Sequence, residues 1–306
     1  MPTLNRRAFL VTAGAVAAAS SLPLEGAPNR FRFAVIADTH IIDEFYRGPE
    51  SNPEDTESIL KTTERLRRTR EQINALRPAM DLTFLVGDYF HNYPSVDLDF
   101  FFQHKTRVDA AKELTDGFAM PVHAGFGNHD YDVPRVSREN SHELFRCKFA
   151  LKPYYSLEHK GFLFVHLNNF LGATWDPKHR RYDRSKGSLG EEQLNWFEAE
   201  LERRKPTFVF VHYPMIIIET DERPGYDLHG IVRKHKETVQ RVISGHWHKW
   251  FEFGRSYGVP HLVIAATRYD PNAYLIVEAE AAKAEHRLLN IDSVDWNTHY
   301  STPWKG

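Results

Sequence analysis

Five short runs in this sequence set carboxylate, amide and imidazole groups directly after apolar stretches: Asp38-Thr39-His40, Gly87-Asp88, Gly127-Asn128-His129-Asp130, His212, and Gly245-His246-Trp247-His248. A carboxylate or imidazole carried into the interior without a partner costs several kcal/mol. One such run is commonplace, since a lone histidine or Gly-Asp pair is usually structural. Five in one chain demand a compensating cation or a closed set of mutual partners. Cys147 is the single cysteine, so a thiolate cluster and an internal disulfide framework are both excluded, whereas 17 histidines make imidazole plentiful. Any metal held here is held by nitrogen and oxygen.

The elements that must position these groups follow from hydrophobic patterning. Residues 31–37, 82–86, 122–126, 162–167, 208–211 and 239–244 are short apolar runs that read as buried strands. Helical patterns cover 53–76 and about 100–116, and a further one over 190–204 carries Leu194, Phe197 and Leu201 at helical spacing. This alternation implies βαβ units and a mainly parallel sheet, with the polar runs at carboxyl strand ends, where open α/β sheets build sites. After His248 the pattern changes to strands without long helices, near 249–253, 259–266 and 273–280. Gly87, Gly127 and Gly245 are expected to let the backbone turn tightly so that the next side chain points into the site. With 42% hydrophobic and 26% charged residues and no repeat or linker, one globular domain is the economical reading. The segment 171–186 breaks the regularity and reads as a solvated loop holding Trp175, His179, Arg180, Arg181 and Arg184.

In this order the motifs D-x-H, GD, GNHD, H and GHxH resemble the calcineurin-like metallophosphoesterase family, across essentially the whole of residues 28–306. The resemblance implies an α/β fold, a four-layer α/β/β/α sandwich of two mixed sheets, with the strands after His248 in the second sheet. It implies one metal on Asp38, His40, Asp88 and His248, and another on Asp88, Asn128, His212 and His246, with Asp88 bridging. The donor chemistry agrees: one carboxylate offers two oxygens, imidazoles add neutral nitrogens, and the Asn128 amide oxygen adds no charge. Two divalent or mixed-valence ions of Mn, Fe or Zn suit such ligands. His129 is implied as the residue touching the leaving group, oriented by Asp130 through its other ring nitrogen.

The implied reaction is hydrolysis of a phosphate ester by in-line attack of a hydroxide held between the ions. The Asp-x-His start and the run Gly187 to Trp196 (GSLGEEQLNW) resemble the cyclic-nucleotide and glycerophosphodiester phosphodiesterase branch. A phosphomonoesterase is the second reading, a nuclease the third, and a metal-stabilised binding protein without turnover the reading of another class. A net charge of −2 supplies no basic track for nucleic acid, so a small phosphate ester is the expected partner. In this setting the arginines and Trp175 of 171–186 become candidates to contact the non-reacting part of the substrate. The chain departs from the purple acid phosphatase branch, which has a ligating tyrosine at the position of His91 and lacks the histidine of Asp-x-His. The run GDYFHN is similar to the equivalent stretch of DNA-repair nucleases in the superfamily, which leaves His91 as a supporting residue, a substrate contact or a loop histidine.

Residues 1–27 read apart from the rest. Asn5-Arg6-Arg7-Ala8-Phe9-Leu10 followed by an Ala/Val-rich run to about Leu24 resembles a twin-arginine export signal. A permanent anchor wants ~20 strongly apolar residues; this run is shorter and rich in Ala, Ser and Gly. Removal is expected, with the mature chain starting between about Ala17 and Phe31; Ala17-Ala18-Ala19 permits cleavage after Ala19, while Ala27 is followed by Pro28, a poor acceptor. The twin-arginine export machinery is the expected partner and the periplasm or exterior the destination.

Overall fold

The computed structural model describes residues 30–219, 223 and 226–304. The expected export segment over 1–27 lies outside the described residues. The strands are β1 (Arg30–Ile36), β2 (Leu82–Val86), β3 (Val122–Gly125), β4 (Tyr155–His159), β5 (Phe162–Leu167), β6 (Thr207–Val211), β7 (Val239–Ser244), β8 (Phe251–Glu252), β9 (His261–Val263), β10 (Leu275–Glu280) and β11 (Glu285–Leu288). They form two sheets, ordered β11-β10-β1-β2-β3 and β4-β5-β6-β7-β9-β8. Both are mixed: β1, β2 and β3 run parallel, as do β5, β6, β7 and β9, while β4, β8, β10 and β11 pair antiparallel.

Why these runs stack as layers is visible in their alternation. Phe31, Phe33, Phe84, Phe162, Phe164, Phe208 and Phe210 occupy every second position and form, with Val35 and Ile243, one buried core between the sheets. Phe33 meets Phe84, Phe164 and Phe208 edge to face at centroid distances of 5.5, 5.2 and 5.0 Å, the geometry that aromatic quadrupoles favour. The intervening Ala34, Ile36, Leu85, Leu163, Val165, Val209 and Val211 belong to a second core together with helix residues such as Leu66, Ile73, Val108, Phe145, Leu194 and Phe197. A strand apolar on both faces must be covered on both, which gives the helix/sheet/sheet/helix order.

Two expected helices are each divided. Residues 53–76 form α1 (Pro53–Ile59) and α2 (Thr62–Ala75), with exposed Leu60 at the break. Residues 100–116 form α3 (Phe100–Gln103) and α4 (Arg107–Asp116), because Thr106 starts a new helix through a capping box in which its backbone N–H donates to Asp109 Oδ2 at 2.9 Å. Helix α5 (Arg138–Phe149), helix α7 (Leu228–Lys234), β4 and β11 were not expected, whereas α6 (Glu191–Glu202) falls inside the expected 190–204.

The larger correction concerns the strands after His248. Only β8 and β9 join the second sheet; β10 returns to the first and pairs antiparallel with β1, from Arg30 opposite Glu280 to Val35 opposite Leu275. Leu275, Val277 and Ala279 face the inter-sheet core, and the pairs Arg32–Glu278 (3.0 Å) and Arg30–Glu280 (2.9 Å) lie across the register. An apolar run announces a strand but not the sheet edge it takes; the Arg–Glu pairs add to the register that forms. Among the described residues no helix is long and apolar enough to cross a membrane.

Candidate functional site

The five polar runs follow β1, β2 and β3 of one sheet and β6 and β7 of the other, so the site spans the carboxyl ends of both sheets and not one sheet edge. Asp38, His40, Asp88, His246 and His248 all have positive φ, from 45° to 70°. Left-handed backbone costs a residue with a Cβ ~1–2 kcal/mol, so the surrounding structure must impose it. Backbone bonds between the loops do so: Asp38 N–H donates to Gly87 O (3.1 Å), His40 N–H to Asp88 O (3.1 Å), and Gly245 N–H to His212 O (3.0 Å). His246 N–H adds a donor to both Asp38 oxygens at 3.1 Å.

Of the three glycines, only Gly87 has the left-handed φ (78°) that the turning role requires. Gly127 (φ −115°) and Gly245 are needed for room instead. A Cβ on Gly127 would collide with the backbone nitrogen and carboxylate of Asp88, and one on Gly245 would lie 2.5 Å from Asp38 Oδ2. Gly127→Ala is therefore expected to displace Asp88 and lower kcat/KM ~10²-fold, the usual cost of misplacing a reacting group by about 1 Å. The variant should keep its far-UV circular dichroism and lose bound metal; full activity would show that the collision is absorbed elsewhere.

Hydrogen-bond accounting indicates what the site holds. His212 Nδ1 lies 2.8 Å from Val86 O, an acceptor only, so this nitrogen carries the proton. Nε2 then presents its lone pair to Asn128 Oδ1 (3.2 Å), Asp88 Oδ2 (3.2 Å) and Asp38 Oδ1 (3.8 Å). With His212 Nε2 unprotonated, buried Asp88 Oδ2 has no hydrogen-bond donor. On its other side stands His40 Nε2 at 3.5 Å, itself 3.1 Å from His248 Nε2, which is 3.3 Å from Asp38 Oδ1. Acceptors that face one another in the interior are stable only around a cation. In the ion-free chain a proton takes that place: burial pushes the His212 imidazole down, but the Asp88 and Asp38 carboxylates override it and raise it to about 9. Burial pushes His246 down to about 3 and His40 well below its ordinary value, so both offer the lone pairs a metal needs.

Ligand atoms of Asp38, His40, Asp88 and His248 lie within 4.8 Å of one another, as do those of Asp88, His212 and His246. Asp88 belongs to both groups, and Asn128 Oδ1 stands beside the second. All seven expected ligands are thus brought together, and the donorless Asp88 oxygen between two imidazole nitrogens fits a metal.

His129 sits at the open side of these groups. Its backbone N–H donates to Asp88 Oδ1 at 2.8 Å, and its ring packs on His91 and His40 at centroid distances of 4.7 Å. The expectation that Asp130 orients it is not met. Asp130 Oδ1 accepts from Tyr89 N–H (2.9 Å) and Phe90 N–H (3.4 Å), and Oδ2 from Gly127 N–H (2.7 Å), so this carboxylate braces the loops after β2 and β3. The partner of His129 Nδ1 is Asn92 Oδ1 at 2.7 Å. Asn92 was missed; its only sequence signal is its place at the end of GDYFHN, next to His91.

Trp175 is also not where a substrate contact would be. It is fully buried against Phe170 (4.6 Å), with Nε1–H donating to Lys186 O at 2.9 Å. Thr174 bonds Ser188 Oγ at 2.8 Å and Arg181 pairs with Glu219 at 3.2 Å, so 171–186 is partly packed into the fold and not simply solvated. Within GSLGEEQLNW, Gln193 Oε1 accepts from Asn168 N–H (2.7 Å) and its Nε2 donates to Asn168 O (2.8 Å), tying the end of β5 to α6.

A sequence model of the calcineurin-like phosphoesterase family matches residues 31–250. No curated protein sequence matches the chain. Among solved structures, a dimetal phosphatase from Danio rerio superposes with a TM-score of 0.57 at 17% identity, covering 82% of this chain and 93% of that one. PhoD gives 0.51 at 11% identity over 83% of this chain and 64% of its own, and a putative 5′-nucleotidase from Staphylococcus aureus 0.50 at 12% over 85% and 53%. At these identities the likeness is one of fold.

Proposed function

Because the chain belongs to the calcineurin-like phosphoesterase family, we propose that it hydrolyses a phosphate ester, a small diester in preference to a monoester, with two ions of Mn, Fe or Zn. Asp38, His40, Asp88 and His248 would hold one ion, and Asp88, Asn128, His212 and His246 the other. The observation that carries this reading is Asp88 Oδ2, which is buried, lies within 3.5 Å of an imidazole from each ligand group, and has no donor unless His212 takes up a second proton. When bound, the ions supply Lewis acidity at phosphoryl oxygens and bring the pKa of a water toward neutrality.

The chain's own residues supply the rest. Val86 O fixes the His212 tautomer with Nε2 turned inward. Asn92 Oδ1 accepts from His129 Nδ1, which turns Nε2 away from the loop and toward an incoming ester. Burial holds His129 down to about 3, so the idle ring is neutral; an anionic ester brought against it favours uptake of the second proton, which Nε2 can give to the leaving oxygen. The preference for a diester rests on the Asp-x-His start and on the resemblance of 187–196, since the ligands themselves serve both ester classes. Initial rates of the metal-loaded protein on phosphomonoesters, linear diesters and cyclic nucleotides test it. Faster turnover of a diester supports the reading, and monoester turnover alone replaces it with the phosphatase reading.

We further propose that the mature protein, residues 28–306, works in the periplasm or outside the cell, supported by Arg6-Arg7 and the apolar run after them. Replacing both arginines by lysine should hold the precursor inside the cell. Unchanged export would remove the twin-arginine assignment.

A further inference from the structure

His40 has a second ring nitrogen whose environment the ligand set does not explain. With Nε2 turned to Asp88 and His248, Nδ1 must carry the proton, and 3.2 Å away it meets His91 Nδ1. The His91 nitrogen can accept that proton's hydrogen bond only through its lone pair, which leaves His91's own proton on Nε2. Asn92 Nδ2, 3.2 Å from that nitrogen, is itself a donor and gives it no acceptor. The acceptor in reach is Glu50 Oε1 at 3.3 Å.

Both carboxylate oxygens of Glu50 are held. Its Oε1 accepts from Tyr46 O–H at 2.7 Å, and its Oε2 from Arg268 Nη2 at 3.2 Å. Arg268 is buried, donates through Nε to Ser58 Oγ (2.9 Å), and its backbone N–H donates to Asp38 O at 3.1 Å. His91 is only 5% exposed, too buried to serve as an ordinary loop histidine. Arg268 lies beyond the 31–250 stretch matched by the family model, so one end of this chain of contacts comes from the carboxyl-terminal part of the protein.

We propose that Glu50 is a positioning residue of the first metal centre, acting through His91 on His40. The run Arg268–Glu50–His91–His40 selects the His40 tautomer with a free Nε2, stops the ring from rotating, and draws density toward the metal-facing nitrogen. Carboxylates behind ligating imidazoles do this generally, and losing one typically costs ~10–100-fold in metal affinity. Here a second imidazole is interposed, so the anion acts from one ring farther out. The proposal rests on the two-metal reading above and concerns only the group Asp38, His40, Asp88 and His248.

The test is the dissociation constant of each bound ion, measured by chelator competition with Co(II), together with the hyperfine-shifted NMR signal of the exchangeable His40 Nδ1 proton. Glu50→Gln is expected to weaken the first ion ~10–100-fold, leave the second within ~3-fold, and broaden that signal by faster exchange with water. A residue that merely holds the 43–58 loop would lower thermal stability without this selectivity. Since Glu50→Gln also leaves buried Arg268 without its anion, a cost to folding in its own right, His91→Phe is run alongside: it keeps the Glu50–Arg268 pair and breaks the link. Selective loss of the first ion in His91→Phe supports the proposal. Unchanged affinities in either folded variant, or equal loss at both sites, overturn it. A third ion on His40, His91 and His129, whose nitrogens also lie within 4.8 Å of one another, would make His91 a ligand and overturn it too. If the unaltered protein binds no second ion, the two-metal reading itself fails, an outcome distinct from intact binding without Glu50 dependence.

Discussion

Asp88→Asn is expected to lower kcat/KM by more than ~10³-fold, beyond the ~10²–10³ that loss of one electrostatic donor costs, and to leave at most one ion bound. The two Asp88 oxygens have separate duties. Oδ1 accepts the His129 N–H at 2.8 Å, and Oδ2 stands without a donor between His212 Nε2 at 3.2 Å and His40 Nε2 at 3.5 Å. An amide in that place cannot offer two anionic oxygens. If its nitrogen takes the Oδ2 position, it donates into the same imidazole lone pairs that otherwise demand a cation. The substitution should lower the melting temperature of the chelator-treated protein as well as remove function, because protonated His212, raised to about 9 by the Asp88 and Asp38 carboxylates, loses its nearest anion. Metal content by mass spectrometry of the purified variant and its melting curve in chelator check both halves. Retention of both ions with full activity would show that Asp88 does not bridge.

His129→Ala is expected to cost ~10²–10⁴-fold on an alkyl phosphate ester, the usual contribution of general acid catalysis, and much less on a nitrophenyl ester. An alkoxide is a strong base and needs a proton as the P–O bond breaks, whereas a nitrophenolate leaves without help. Metal content should stay near that of the unaltered protein, because His129 touches the ligands through its backbone N–H and ring faces and not through a ring nitrogen. Asn92, which holds Nδ1 at 2.7 Å, should show the same ester dependence at smaller size when replaced by Ala. Equal losses on both esters with metals retained would mean that His129 positions the phosphate; lost metal would mean that it is a ligand.

Which parts of this were legible in the sequence follows from how each element is stabilised. Strands β1, β2, β5, β6 and β7 are covered on both faces, and their mainly apolar runs announce them despite interruptions such as Arg32 and His166. Strand β11, Glu285-His286-Arg287-Leu288, is an edge strand with alternate residues exposed, so it has no such run. Helix α5 buries only Ser141, Leu144 and Phe145, too narrow a stripe to stand out in RENSHELFRCKF. The pairing of β10 with β1 depends on which edge remains open after the sheets form, a property of the assembled fold. In the site, the seven expected ligand residues were legible because each sits at or just after a strand end in a short polar run. Asn92 and Glu50 act by reaching another side chain across loops, and no spacing in the chain encodes that. Asp130 shows the converse: its adjacency to His129 suggested a partner, but its oxygens are taken by the amides of Tyr89, Phe90 and Gly127. Trp175 was hidden among charged neighbours, although its buried ring helps to anchor the segment that carries them.

If two ions sharing Asp88 make this site hydrolytic, activity must follow metal occupancy. Metal-stripped protein is mixed with increasing equivalents of Mn(II), Fe(II) or Zn(II), and initial hydrolysis of an activated phosphodiester is followed alongside bound metal. Hydrolysis should be negligible without metal and should rise until it levels at the second equivalent per chain, with Asp88→Asn flat throughout. Full activity at one equivalent, activity that persists in chelator, or no hydrolysis of any phosphate ester with two ions bound would contradict two-ion hydrolysis.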